Sequence, residues 1–348
     1  MMGKQIQRLV DIGLSIEATR ATAEAAPDFW VPKVDLDFIP KVDLAVDNSG
    51  LGVIDSRRDS AVVQEYGEGS IGGIVYDESF GVLLALALGT WSSSTVSDNA
   101  YTHAFTRLNT NAHPSATIFV KDENLDEKYG LAMLSQLTIN AVVDDYVKFT
   151  AGFLSKAGAA TSSTPAYTSE NAFLPSHMAV KLAANVGSLA GANETALRSL
   201  SLTINKNPET WPELGSIVPA DIVNKEFSIE GEMELVYDDS TERDFVLEGT
   251  DKAMSIILTN EDVTIGTATN PSLSFEIARA SLVDFGRGGG AGDIETQTIR
   301  FEGNFDLTEA KTISASLVNE HPFYISHEQL DLTDEMSISE SMSTPVEG

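Results

Sequence analysis

The sequence has 348 residues, of which 42% are hydrophobic, enough for one large core or two cores of ordinary domain size, and two are favoured. Acidic residues outnumber basic residues by 52 to 22, so the formal net charge is −30. A chain this acidic repels polyanions and is a poor nucleic-acid binder by the counterion-release route. The absence of cysteine excludes disulfides, Cys-ligated zinc and thiol nucleophiles.

The first residues, 1–29, show no targeting segment. No apolar stretch lies between a basic head and a small-residue cleavage site, so no secretory signal is predicted. The longest apolar run, Gly81 to Gly89, is far shorter than the roughly 20 residues that cross a bilayer. We therefore expect a protein that is cytosolic when made and has no membrane partner.

Most of the chain alternates apolar and polar residues in short runs, as in VDLDFIPKVDLAVD (34–47), ATIFVKD (116–122) and IRFEGNFDL (299–307). This pattern predicts half-buried strands at hairpin spacing, and so a mainly β protein. The clearest helix is DESFGVLLALALGT, residues 77–90, with Asp77 or Ser79 as N-cap and Gly89 as the C′ residue. We expect this helix to pack on a sheet.

Gly67, Gly69 and Gly72 match the dinucleotide fingerprint Gly-x-Gly-x-x-Gly. That fingerprint requires a helix to begin within it, whereas the next residues, SIGGIVYD, have the pattern of a strand. We therefore interpret the glycines as sheet positions that need flexibility or close backbone approach.

Short landmarks of the first half recur in the second half in the same order, with offsets between 301 − 149 = 152 and 237 − 76 = 161 residues. The matched positions are Leu44 and Leu202, Ser70 and Ser228, Tyr76 and Tyr237, Thr90 and Thr250, Pro114 and Pro271, and Phe149 and Phe301. This colinearity indicates a tandem duplication. The predicted organisation is an N-terminal arm (1–29), a first copy (30–158), a linker (159–174), a second copy (175–320) and an acidic tail (321–348).

No set of residues with catalytic or metal-binding spacing emerges. GRGGGAG, 286–292, has no Gly-Lys-Ser/Thr behind it and is interpreted as a loop joining two strands. The pairs Asp144–Asp145 and Asp238–Asp239 lie between strand-like runs, where Asp favours turns. The five histidines show no metal-ligand or catalytic spacing. We predict no cofactor, no metal and no enzymatic activity; a hydrolase with an unrecognised site is the enzyme alternative.

An acidic, duplicated β protein without a reactive site is more typical of an assembly component. Sheet edges can be paired around a ring, and carboxylates inside such a ring would repel DNA and let it slide. GEGSIGGIVYDESFGVLLALALGT followed by YGLAMLSQLTINAVVDDYVKFTAGFL resembles the tail tube (major tail) proteins of bacteriophages with long non-contractile tails. The likeness extends to about residue 318 and rests on glycines, strands and one helix, without a single signature motif.

The resemblance implies a β-sandwich or split barrel with a flanking helix in each copy. Six such domains would close into a ring whose inward strands form a continuous barrel, and stacked rings would form the virion tail tube. Three chains would then make one pseudo-hexameric ring, while a ring of six chains with one copy outside stays open. The implied partners are the tape measure, tail terminator and tail tip proteins, with genome DNA passing through without specific binding.

The resemblance also implies that residues 55–69 and 208–225 reach the neighbouring ring, and that the N-terminal segment is an inter-subunit arm. The candidate stacking residues are Arg57, Arg58, Glu65, Tyr66, Trp211 and Glu213. We further hypothesise that an inward-facing strand of each copy is acidic. The candidate lumen residues are Asp35, Asp37, Asp43, Glu230, Glu232 and Glu234.

Two other classes stay open. Another virion protein, such as a tail terminator or a capsid decoration protein, is the closest competitor. An acidic surface β protein of a halophile would share the charge and the strand pattern.

Overall fold

The structure is a computed structural model that describes residues 6–290, 292–322 and 324. It is mainly β, with 54% of residues in strands and 9% in helices, as the alternating pattern predicts. The named strands pair antiparallel. The acidic tail predicted for 321–348 lies almost wholly outside the described residues.

The first half of the chain contains the helix α1 and ten of the described strands. The strands are β1 (Asp11–Ile16), β2 (Phe29–Trp30), β3 (Lys33–Asp47), β4 (Asp59–Ile74), β5 (Gly89–Ser97), β6 (Ala100–Arg107), β7 (Ala116–Lys121), β8 (Asp126–Val142), β9 (Lys148–Lys156) and β10 (Ala159–Ala160). The predicted helix is confirmed as α1 (Phe80–Leu88), which follows Ser79 and ends at Gly89, whose φ of 90° is left-handed. Every residue of α1 is buried, which fits a helix that is apolar on all sides.

The second half contains the helix α2 (Thr241–Glu248) and the remaining described strands. These are β11 (Met178–Ala183), β12 (Leu197–Asn205), β13 (Pro208–Trp211), β14 (Asp221–Asn224), β15 (Ser228–Val236), β16 (Asp251–Thr259), β17 (Ser272–Gly288), β18 (Thr296–Asn304) and β19 (Ile313–Asn319). The glycine-rich stretch 286–292 spans the end of β17 and the loop before β18, as predicted.

Strands of both halves lie side by side in one sheet, in the order β3, β4, β9, β8, β12, β15, β18, β17. The pairing of β8 with β12 joins the halves, so the sheet continues across the predicted domain boundary. One register row crosses all eight strands on a polar face: Asp35, Gly72, Thr150, Thr138, Thr203, Glu230, Glu302 and Ser281. The adjacent row is apolar: Leu36, Ile71, Ala151, Leu137, Ile204, Ile229, Gly303 and Ala280.

A second set of strands lies beyond this eight-stranded sheet. One section consists of β2, β1, β7, the first part of β8, and β10. The other consists of β11, β16, the first part of β17, and β19, and the hairpin of β5 and β6 extends it. The buried apolar side chains of both halves form one contiguous core that includes α1.

Residues 11–16 of the predicted N-terminal arm form β1. This strand pairs with β7 of the same chain along six residue pairs, and Ile12 and Leu14 are fully buried. DIGLSI has the period-two pattern of a strand, with Ile12, Leu14 and Ile16 between Asp11, Gly13 and Ser15, but six residues do not show which strand they pair with.

The segment predicted as a linker, 159–174, packs against its own chain. β10 pairs with β8, Phe173 is fully buried, and the backbone N–H of Asn171 donates to an Asp77 carboxylate oxygen at 2.8 Å. It is therefore part of the folded body, although its small and polar composition is that of a spacer.

The predicted connection 55–69 is corrected to a shorter turn. β3 and β4 form a hairpin that pairs as far as Asp47 and Asp59, so the connection is strand from Asp59 onward. In two of the landmark matches, the matched residues of the first and second halves occupy different places in the strand pairing. Leu44 pairs with Val62 in the hairpin, while Leu202 pairs with Gly231 inside the eight-stranded sheet. Pro114 and Pro271 likewise precede β7 and β17, which have different partners.

The interpretation of the glycine motif is confirmed. Gly67, Gly69 and Gly72 all lie within β4, and no helix begins there. Gly69 has φ 148°, and a Cβ at this position would come 1.7 Å from the carbonyl oxygen of Asp37. Only glycine fits so close an approach of two strands.

Candidate assembly surfaces

The six lumen candidates lie on one face, five of them within the eight-stranded sheet and Asp43 on the part of β3 that extends past β9. Asp35, Asp37 and Asp43 occupy alternate positions of β3, and Glu230, Glu232 and Glu234 occupy alternate positions of β15. The register row from Asp35 to Glu230 places both sets on the same side, because residues paired across strands point to the same face. Four strands separate the two sets.

This polar face is acidic overall. Its acidic residues are Asp35, Asp37, Asp43, Glu68, Glu230, Glu232, Glu234, Asp284 and Glu302, and its basic residues are Lys41, Lys148, Lys156, Arg279 and Arg300. Five positive and nine negative charges give 5 − 9 = −4. Glu230 accepts a hydrogen bond from Asn205 at 3.0 Å and lies 3.9 Å from the Arg300 guanidinium. The two central strands carry neutral residues, and the Thr138 and Thr203 hydroxyls are 3.1 Å apart.

The sheet has two open edges within the described residues. β3 is the last strand on one side, and the second part of β17, from Leu282 onward, is the last on the other, because Ser281 still pairs with Asp251 of β16. The side chain of Gln7 donates to the carbonyl oxygen of Leu36 at the β3 edge. Unpaired backbone groups along such edges are ready to pair with another strand.

The hairpin of β3 and β4 extends past the end of β9. This hairpin with its turn, residues 38–66, exposes apolar side chains on both sides; we call this segment the long hairpin. Ile54 in the turn is 94% exposed. The other exposed apolar side chains are Ile39, Val42, Leu44, Leu51, Val53, Val62 and Val63. Exposed apolar patches of this kind are typical of interaction surfaces, because burying them against a partner removes apolar surface from water and is favourable.

The two predicted connections touch each other. Residues 208–225 contain the two-stranded ribbon of β13 and β14, and the backbone N–H of Glu65 donates to the Ile217 carbonyl at 2.8 Å. Both segments leave the sheet at the end marked by the pairing of Asn205 with Gln136.

The stacking candidates are divided between these segments. Arg57 and Arg58 lie in the turn of the long hairpin, with Arg58 3.7 Å from the Asp47 carboxylate. Trp211 ends β13 and is 61% exposed, and Glu213 follows it and is exposed. Tyr66 differs from the rest, because it pairs with Lys41 and Lys156 on the polar face of the sheet.

The comparisons with known proteins assign the chain to a family. The family model for phage tail tube proteins matches residues 8–305. The chain belongs to the phage tail tube family. This is a family of structural proteins rather than of enzymes, and it makes the chain a component of a virion tail. A search of curated proteins found no match.

This tail tube protein also exposes apolar residues at the opposite end of the sheet. They lie in the turn between β8 and β9, at the end of β15, and near the connection of β17 to β18. The residues are Val142, Val143, Tyr146, Val236, Val283 and Ile294. These residues lie in segments far apart in the sequence, and only the fold brings them to one end, so no local pattern predicts this surface.

The acidic pairs of the tail tube protein form turns, as predicted. Asp144 has φ 71° between β8 and β9, and Asp145 lies 2.5 Å from the Lys148 ammonium. Asp239 accepts a hydrogen bond from the backbone N–H of Thr241 at the start of α2. Within the described residues, no group of three or more His, Asp and Glu side chains could hold a metal ion. No helix of that part of the chain is long and apolar enough to cross a membrane.

Proposed function

We propose that this protein polymerises into stacked trimeric rings, which form a tail tube with an acidic lumen for delivery of genome DNA. The observation that carries the proposal is the eight-stranded sheet with two open edges. Edge β3 of one chain would pair with edge β17 of the next, and the sheet would close into a barrel. This closure would remove both exposed edges at once.

The junction of β8 with β12 supplies a template for that contact. In the internal junction Ile139 lies opposite Leu202. By position in the next register row, Leu282 of β17 corresponds to Ile139, and Lys33 of β3 corresponds to Leu202. The proposed junction therefore places Leu282 of one chain opposite Lys33 of its neighbour.

The proposed duplication is supported by strand pairing. β3–β4, β4–β9, β8–β9, β1–β7, β7–β8 and β8–β10 in the first half have counterparts in β12–β15, β15–β18, β17–β18, β11–β16, β16–β17 and β17–β19. Helices α1 and α2 occupy matching places after β4 and β15. The hairpin of β5 and β6 has no counterpart and is an addition to the first copy.

Three chains would be enough to close one ring, because both copies of each chain contribute strands to the same sheet. Three sheets of eight strands give 24 strands, which at about 4.8 Å per strand form a barrel roughly 37 Å across before any tilt. Barrels of 16–18 strands already enclose a water-filled channel. A ring of six chains would leave one copy outside the barrel, and the pairing of β8 with β12 disfavours that arrangement.

The polar face would line the channel. Its net charge of −4 per chain, from five positive and nine negative residues, repels the phosphate backbone. Its basic residues lie among the acids, and the Arg300 guanidinium lies 3.9 Å from the Glu230 carboxylate. DNA would therefore pass without specific binding.

Ring stacking would use the two ends of the sheet. The long hairpin and the 208–225 segment project from one end, and the exposed apolar residues around Tyr146 and Ile294 lie at the other. Contact between unlike surfaces is heterologous and does not close, so it generates a filament. The tape measure, tail terminator and tail tip proteins would bind the finished tube, which would assemble after synthesis in the host cytoplasm.

Negative-stain electron microscopy across a concentration series, paired with light-scattering mass, tests the proposal. We expect hollow tubes or rings with a mass near a multiple of three chains. Single rings that never stack would indicate a terminator instead, and ring masses near six chains would reject the trimer. A protein that stays monomeric at every concentration, even when purified tube fragments are added as seeds, would contradict polymerisation.

A further inference from the structure

A cavity of about 270 Å³ lies near the junction of the two halves, where β6 and β12 end. Basic side chains from three parts of the chain line it: Arg107, Lys206 and Lys225, together with Asn224. A cluster of three basic residues is unexpected in a chain with 22 basic and 52 acidic residues.

Lys206 is the least expected of these residues, because it is only 1% exposed. Its ammonium donates to the carbonyl oxygen of Leu86 at 2.5 Å. An ammonium has three donors, so capping the end of α1 accounts for one of them. Within the described residues no carboxylate lies at ion-pair distance, and burial lowers the pKa of Lys206 to about 7. A buried ammonium without a negatively charged partner is costly, which points to a missing anion.

Asn224 and Arg107 also suit an anion, while the exposed Glu226 is the one carboxylate among the described residues that line the cavity. Both side-chain polar atoms of Asn224 are buried without a partner among the described residues. The Arg107 guanidinium lies 5.5 Å from the ring centre of Phe227 and 5.6 Å from that of Phe305, which fixes its position without neutralising its charge. Lys225 at the rim pairs with Glu209 at 2.8 Å.

We propose that this cavity binds one oxyanion, a carboxylate or a phosphate group, held by Lys206 and Arg107 with the Asn224 amide as a neutral donor. Charge-assisted hydrogen bonds of this kind are among the strongest that a protein offers to an anion. The oxyanion has two sources, a free phosphate ion and a carboxylate of a second copy of the chain. The second source rests on the proposed function, because Asn224 and Lys225 end the 208–225 segment assigned to ring stacking.

Calorimetric titration of the unassembled protein with inorganic phosphate, at low ionic strength and against a sodium chloride control, tests the site. We expect one saturable site, with affinity lowered at least tenfold by Arg107→Gln and by Lys206→Met. Lys252→Met is the matched control, because its ammonium lies over the Phe245 ring at 3.7 Å, away from the cavity, and it should bind like the original chain. Asn224→Ala, a small change near the rim, should weaken binding without loss of the fold.

An isotherm unaltered by Arg107→Gln and Asn224→Ala, or heat equal to that of chloride, would overturn the proposal. Repeating the titration on assembled tubes separates the two sources. Loss of phosphate binding on assembly indicates a neighbouring carboxylate in the cavity, and retained binding indicates a free-ion site. The first titration needs no assembly, so failure of the tube proposal and failure of the anion site remain distinguishable.

Discussion

Gly73 lies opposite Phe149 across β4 and β9, so close that a Cβ on the glycine would come 2.8 Å from the phenylalanine ring. The same relationship recurs between Gly231 and Phe301 across β15 and β18, at 2.2 Å. The offsets are 231 − 73 = 158 and 301 − 149 = 152 residues, which are those of the sequence landmarks at Ser70 and Phe149. A shared strand register at shared offsets supports the proposed duplication more strongly than short matches do.

We predict that Gly73→Ala and Gly231→Ala each destabilise the unassembled protein by about 1–3 kcal/mol, because the added methyl group overpacks against a phenylalanine ring. Gly72→Ala is the control on the same strand, since its Cβ would meet its nearest neighbour at an ordinary 3.4 Å. Chemical denaturation gives the free energy of unfolding of each variant. Equal losses at Gly72 and Gly73 would show that the phenylalanine contact does not determine these positions.

We predict that Glu78→Gln stabilises the protein above neutral pH. Burial, together with the neighbouring carboxylates of Asp77, Glu170 and Glu320, raises the pKa of Glu78 to about 7. The folded state therefore holds a proton that the unfolded chain releases above about pH 4.5, so the stability contributed by this group falls as pH rises towards 7.

Thermal unfolding at pH 8 and pH 4 measures this effect. Glu78→Gln should gain about 1–2 kcal/mol over the original chain at pH 8 and nothing at pH 4. Glu123→Gln, on the exposed turn between β7 and β8, serves as the control and should change neither value. A gain of the same size at both pH values would contradict the assignment to Glu78 titration.

We predict that Ile54→Asp blocks tube growth but leaves the fold intact, because this turn residue of the long hairpin is 94% exposed in the single chain. A charge placed in a buried apolar interface is strongly unfavourable. Leu247→Asp on α2, at a residue that is 74% exposed, is the matched control and should assemble normally. Sedimentation of tubes gives the readout, and normal tubes from Ile54→Asp would remove the long hairpin from the stacking surface.

We predict that the double variant Asp35→Lys, Glu232→Lys forms tubes that retain short duplex DNA inside them. The two changes alter the charge of the polar face from −4 to −4 + 4 = 0 per chain and remove the repulsion that keeps DNA unbound. Glu248→Lys with Glu261→Lys, at exposed residues off this face, makes the control. Protection of DNA from nuclease should appear only in the first variant and should fall with added salt. Equal accessibility of DNA in both variants would contradict the lumen assignment.

The sequence predicts those features that depend on local patterns. The bounds of α1, the turns at Asp144 and Asp239, and the role of Gly69 all follow from short-range chemistry. The placement of Asp35 and Glu230 on one face also follows from period-two alternation once their strands share a sheet.

Features that depend on pairing between distant parts of the chain cannot be predicted from local sequence patterns. The pairing of β8 with β12 crosses the predicted linker, and nothing in either strand marks the other as its partner. β1 has the alternation of a strand, but nothing in its six residues marks β7, about 100 residues later, as its partner. Lys206 follows a strand of ordinary pattern, and only the packing of α1 above it shows that its ammonium is buried.

Cysteine cross-linking across the proposed ring junction tests the central claim most directly, because the natural chain has no cysteine. Lys33→Cys and Leu282→Cys lie at opposite edges of one sheet, seven strand spacings or roughly 34 Å apart, so a disulfide between them must join two chains. Thr138→Cys with Thr203→Cys is the intrachain positive control, and Asp35→Cys with Leu282→Cys places the thiols on opposite faces as the negative control. We predict that oxidised tubes of the Lys33–Leu282 variant give covalent species of at most three chains. Tubes that form without this cross-link, or a ladder that extends to six chains, would contradict the account.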